Sequence, residues 1–212
     1  MVICFLLVAH CDAVYAQDGP DLLFREDWKE IPEEIPVNQK HVDNSDLQLH
    51  LYGPARDQIK KSHHEVPANH PYYIWSGPCE GNWAVALEHQ KQNMDLTGNA
   101  KIRWRTHQAG FRQLRLLVML SDGSWLVSDE YIGPSAGWRV QEILMTDIRW
   151  RKINMERIAE GKWIDDADLS NVVQIGFTDL MAGGHSGASS RVDWLEVYAK
   201  PAKKAEVEFQ NN

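Results

Sequence analysis

Basic side chains recur at every second position of Lys101-Ile102-Arg103-Trp104-Arg105-Thr106-His107. In an extended strand this spacing sends Lys101, Arg103, Arg105 and His107 to one face. Ala100, Ile102, Trp104 and Thr106 go to the other. One face is then core and the other cationic. The next strand adds Arg115 on its polar phase, beside Leu117 and Met119, which predicts a face that is partly cupped. Arg149 and Arg151 alternate likewise further on. Guanidinium groups hold carboxylates and sulfates bidentately. Arg103, Arg105, His107 and Arg115 on one sheet face would therefore suit a uronate or sulfated glycan. The competing reading is a solvated face whose arginines pair with Asp and Glu. A β-elimination would need a cation at the uronate and a His or Tyr base. Arg103, His107 and Tyr131 supply those residue types.

Aromatic residues are the second candidate, because sugar rings stack their C–H faces on Trp and Tyr. Trp83, Trp104 and Trp194 fall on core phases. Trp75, Trp125, Tyr131 and Trp163 sit near turns or strand ends, where they could line a groove. Trp125, Asp129 and His185 join the arginines as candidate ligand-binding residues. His185 lies in the Gly-rich run Gly183-Gly184-His185-Ser186-Gly187, which lacks the Lys of a phosphate loop and opens no helix. Asp129-Glu130 and Asp165-Asp166 are adjacent pairs, so on a strand each splits between faces. Neither makes the opposed carboxylates of a glycosidase. His63-His64 do not converge on one ion, and no C-x-x-C or H-E-x-x-H occurs.

These side chains need strands to hold them, and the chain supplies short ones throughout. Runs at Leu47 to Tyr52, Tyr72 to Ser76, Trp83 to Glu88, Ala100 to His107 and Gln113 to Ser121 read as strands. So do Ser124 to Asp129, Trp138 to Ile143, Trp150 to Met155, Val172 to Thr178 and Arg191 to Tyr198. Gly, Pro, Asn and Asp punctuate them. The fold class expected is all-β, an antiparallel β-sandwich of jelly-roll type. Asp122-Gly123 supplies the positive φ angles of a tight hairpin. Pro54 to Asn69 is polar and reads as a long loop with a helical turn.

The 212 residues suffice for one domain, and a net charge of −8 argues against a nucleic-acid partner. Val2 to Ala9 is an apolar run too short to span a bilayer, and Val14-Tyr15-Ala16 has the small residues of a cleavage site. The expectation is a signal peptide over 1–16, a single sandwich over 17–200 and a flexible tail over 201–212. The protein would be exported, periplasmic or extracellular, with no transmembrane segment. Cys4 and Cys11 would leave with the leader. Cys79 then has no disulfide partner, which fits a bacterial exported protein, and it reads as a small buried hydrophobe.

From Met94 a recognisable order follows: Asp95-Leu96-Thr97-Gly98, the strand from Lys101, the Asp122-Gly123 hairpin, Trp138-Arg139-Val140 and Asp147-Ile148-Arg149-Trp150. It closes with Asp168-Leu169-Ser170-Asn171-Val172-Val173-Gln174-Ile175-Gly176-Phe177 and Val192-Asp193-Trp194-Leu195-Glu196-Val197-Tyr198. This resembles the galactose-binding-like jelly rolls of carbohydrate-binding modules and glycan-degrading enzymes. Leu23-Phe24-Arg25-Glu26-Asp27-Trp28 is equally similar to the opening strand of concanavalin-like sandwiches. The resemblance implies a carbohydrate partner, of polysaccharide type. It leaves open whether the chain only binds glycan, also cuts it, or serves as a structural protein-interaction module. Jelly rolls of this type often carry a structural calcium, against which stands the reading of ordinary surface carboxylates; no other cofactor is expected. Glu26, Asp27 and Asp193 would be the calcium ligands if the first and last strands pair.

Overall fold

Alternation decides most of this architecture. The structure, a computed structural model, describes residues 19–63, 72–180 and 187–204. The expected leader and His185 lie outside the described residues. In chain order the strands are β1 (Leu22–Glu26), β2 (Leu47–Tyr52), β3 (Lys60–His63), β4 (Tyr72–Trp75), β5 (Ala84–His89), β6 (Asn93–Asp95), β7 (Lys101–Ala109) and β8 (Leu114–Leu120). They continue as β9 (Trp125–Ile132), β10 (Arg139–Leu144), β11 (Trp150–Asn154), β12 (Ala159–Ile164), β13 (Val172–Thr178), β14 (Ser189–Tyr198) and β15 (Lys200–Ala202).

The strands form two antiparallel sheets. The six-stranded sheet runs β10-β7-β14-β4-β3, with β1 also on β14. The nine-stranded sheet runs β12-β11-β9-β8-β13-β5-β2, with β6 on β13 and β15 on β6. Between them lies one apolar layer. Ile102 and Trp104 of β7 and Leu195 of β14 meet Val85, Leu116, Val118, Ile175 and Phe177 from the facing sheet, all buried. Burying a large apolar side chain in this way contributes about 2 kcal/mol. Gly176 permits a close strand approach at the centre of the nine-stranded sheet. A Cβ there would stand 2.1 Å from the Val85 carbonyl oxygen.

The β8–β9 hairpin turns at Asp122-Gly123 as the sequence predicts, with the positive φ at Gly123 and not at Asp122. Gly123 has φ 82, its N–H donates to the Leu120 carbonyl at 3.0 Å, and Asp122 accepts from the Ser124 N–H at 2.8 Å.

Three expectations are corrected. The segment read as a loop from Pro54 contains a 3-10 turn, Arg56–Gln58, and then β3, which pairs with β4. Its polar sequence hides a strand because Lys61 and Ser62 are buried by tertiary packing. Pro201 and Ala202 belong to β15 rather than to a tail. Trp194 sits on the outer face rather than in the core, because the β14–β7 ladder shifts register between Val192 and Trp194 and so reverses the alternation.

Candidate functional site

Each sheet has an outer face, and the two carry different chemistry. On the six-stranded sheet the outer residues of β7 include Lys101, Arg103 and Arg105, as the sequence predicts. They meet carboxylates from both neighbouring strands. Arg103 lies 3.1 Å from Glu196 and 3.6 Å from Glu142. Lys101 is 3.1 Å from Glu142. Arg105 donates to Asp193 at 2.7 Å, and Arg25 of β1 reaches Glu196 and Asp27, each at 2.5 Å. Four cations thus face four carboxylates. Contacts with Tyr198 and Glu196 hold the Arg103 guanidinium above its ordinary range. Burial pushes the Asp193 carboxyl up to about 6, against the pull of Arg105. His107 packs its ring on Trp138 with centroids 5.7 Å apart.

The carboxylates expected to gather round a calcium are held separately. β1 and β14 do pair, but Asp27 is held by Arg25 and Asp193 by Arg105. Glu26 is fully buried and accepts N–H groups of Trp28, Asp43 and Asn44 at 2.8, 2.7 and 3.0 Å. It staples the loop after β1 rather than facing an ion. Among the described residues no group of three or more His, Cys, Asp or Glu side chains is placed to hold a metal.

Arg115 is not on the cationic face of β7. β7 belongs to the six-stranded sheet and β8 to the other, so Arg115 points outward on the opposite side of the sandwich. It shares Glu160 of β12 with Arg151, whose guanidinium lies 3.5 Å from Glu160 Oε2. Arg151 and Arg149 both lie against the Trp163 ring, at 4.2 and 4.4 Å from its centroid. Trp163 is 40% exposed. Asp129 positions this group through the backbone. It accepts the Arg149 N–H at 2.8 Å while its own N–H donates to the Arg149 carbonyl at 2.9 Å.

The same outer face carries Trp125. Its ring meets that of Tyr52 edge-on at 5.1 Å. Tyr52 donates to Gln174 at 2.8 Å, and Gln174 donates to Glu88 at 3.2 Å. Lys204 reaches Glu88 at 2.6 Å, and His50 Nε2 lies 3.1 Å from Glu88. Burial raises the Tyr52 hydroxyl above its ordinary value. Burial would raise Glu88 too, but Lys204, His50 and Gln174 outweigh it and hold the carboxyl low. Under the aromatic pair, Ala84, Leu117, Val127, Ile153 and Ile158 make a small second apolar cluster. The β11–β12 hairpin tip is tied across the face, since Asn82 Nδ2 donates to the Ile158 carbonyl at 3.0 Å.

Register places His50, Ala86, Gly176, Leu117, Val127, Arg151 and Trp163 in one row across the strands. At about 4.8 Å per strand the row is roughly 29 Å long. Trp125 and Arg115 flank it, and Asp129 supports it through Arg149. Tyr131 is 50% exposed, at the far end of β9. The partners Arg149, Arg151, Tyr52 and Gln174 were not singled out as ligand-binding residues from the sequence. The alternation of Arg149 and Arg151 was the available signal. Cys79 is buried, and burial pushes its thiol up to about 12, as befits an inert core residue.

No known family model and no curated protein matches this chain. Among solved structures it is similar to the family 11 carbohydrate-binding module from Clostridium thermocellum in complex with a beta-1,3-1,4-mixed-linked tetrasaccharide. Identity there is 14% and the TM-score 0.47, over 82% of this chain and 98% of that one. The family 11 module of a Clostridium thermocellum cellulosomal cellulase gives 13% and 0.48, over 84% and 99%. A family 29 carbohydrate-binding module complexed with mannohexaose gives 12% and 0.42, over 73% and 83%.

Proposed function

We propose that the chain is a carbohydrate-binding β-sandwich that takes a polysaccharide across the outer face of its nine-stranded sheet. The observation that carries this reading is the placement of Tyr52, Trp125 and Trp163 on one face, with arginines and carboxamides between them. Pyranose rings need an aromatic surface for their C–H faces and directional polar groups for their hydroxyls, and this face offers both. Arg115 and Arg151 pair there with Glu160, two guanidiniums to one carboxylate. A preference for uronate or sulfated chains would arise at that pair of arginines. Export, expected from the leader sequence, is part of the same reading.

Binding is favoured over cleavage by the separation of the candidate catalytic groups. His107 lies on β7 of the six-stranded sheet and Tyr131 on β9 of the other. Asp129 is engaged by backbone N–H groups. The reading is tested by electrophoresis through gels that contain neutral, uronate or sulfated polysaccharides. Retardation in at least one gel is the expected result. Unchanged mobility in all of them overturns it.

A further inference from the structure

Where β12 ends, the edge of the sandwich opens into a cavity of about 330 Å³. Its floor is apolar and belongs to the core: Met145, Trp150 and Leu169 are all buried there. Its rim is polar and aromatic, made by Trp163, Arg149, Asp165 and Asp166. The Arg149 backbone is fixed in place by two hydrogen bonds with Asp129, one to its carboxylate and one from its N–H. Trp163 is backed by Arg151, which Glu160 holds in turn. The Arg149 guanidinium and the Asp165 and Asp166 carboxylates have no hydrogen-bond or ion-pair partner among the described residues. Two carboxylates without partners and one guanidinium stacked on the indole therefore border an apolar floor.

Given the carbohydrate reading of the face, on which this rests, we propose that the cavity is a blind pocket for one neutral pyranose ring entering end-on. The volume is at the small end of ligand sites, and the buried floor stops a chain from passing through. Only the terminal sugar of a chain or branch can enter. Trp163, with Arg149 and Arg151 stacked on its ring at 4.4 and 4.2 Å, forms the aromatic wall that the sugar meets. Arg149 donates to a ring or hydroxyl oxygen. Asp165 and Asp166 accept from adjacent hydroxyls, which a carboxylate does well. The same two carboxylates repel a uronate or sulfated ring, so the terminal residue is neutral even where the rest of the chain is charged.

The test uses methyl glycosides of glucose, galactose and mannose, with methyl glucuronide as the charged counterpart, followed by the indole N–H resonances. The Trp163 resonance is the one missing in Trp163→Phe, and the Trp125 resonance the one missing in Trp125→Phe. At least one neutral glycoside should shift the Trp163 signal saturably. The double variant Asp165→Asn, Asp166→Asn should weaken it tenfold or more and should admit the glucuronide, while keeping any gel retardation by polymer. No Trp163 shift with any neutral glycoside overturns the pocket, as does an unchanged affinity in the double variant. Gel retardation without a Trp163 shift removes the pocket and leaves the face reading standing. A Trp163 shift with no retardation in any gel does the opposite.

Discussion

The two outer faces of this sandwich hold similar residues and arrange them differently. On the six-stranded sheet Arg25, Lys101, Arg103 and Arg105 meet Asp27, Glu142, Asp193 and Glu196, and Asp193 and Glu196 are each 6% exposed. On the nine-stranded sheet Arg115 and Arg151 meet Glu160, while Arg149 lies against Trp163. Arginine content alone does not make a site. A guanidinium enclosed by carboxylates is a structural element, whereas one anchored through its backbone with free N–H groups is available to a ligand.

The difference between the faces can be put to experiment. Gly176→Val should disrupt the nine-stranded sheet, because its β-carbon would meet the Val85 carbonyl at 2.1 Å. A loss of about 3 kcal/mol or more in urea unfolding is expected. Glu196→Ala removes the carboxylate shared by Arg25 and Arg103. It should cost about 2 kcal/mol, less than a fully buried pair because both arginines reach solvent. Retardation by glycan should persist in Glu196→Ala. If it vanishes, the six-stranded face is the binding face and the comparison is reversed.

Trp125→Ala should weaken glycan retention about tenfold, or about 1.4 kcal/mol. Arg103→Ala should leave retention unchanged, and affinity electrophoresis of the two variants side by side checks both. A further test concerns pH. Burial pushes Glu26 up to about 7 from an ordinary 4.5. The folded state therefore binds that proton more tightly than the unfolded chain. The resulting stabilisation is complete below pH 4.5 and is lost as pH rises through 7. Glu26→Gln should flatten the urea midpoint over that window. A midpoint that varies equally in both proteins would refute the assignment.

Local chemistry was legible in the sequence and pairing was not. Leu47–Tyr52 ends where its alternation ends, and Asp122-Gly123 announces its hairpin because the turn needs what glycine provides. β12 left no signal, since an edge strand exposed along nearly its whole length has no apolar phase to read. Arg115 was assigned to the wrong face for a related reason. Successive strands usually lie side by side, whereas here the chain crosses between sheets after β7. The residues of the Trp163 group were visible singly. Their meeting depends on β11 pairing with both β9 and β12, which no spacing encodes.

Strand order also bears on how the molecule assembles. β13 lies between β8 and β5, and β14 lies between β7 and the pair β4 and β1. The interior of each sheet is filled by a strand from the last part of the chain. Among the described residues β1 has only β14 beside it, and Arg25 waits for Glu196 across 171 positions. Contacts of such long sequence separation make folding slow. Neither sheet can close from its earlier strands alone, so cooperative folding must follow synthesis of nearly the whole sandwich, and the open flanks of β5, β7 and β8 are exposed to self-association until then.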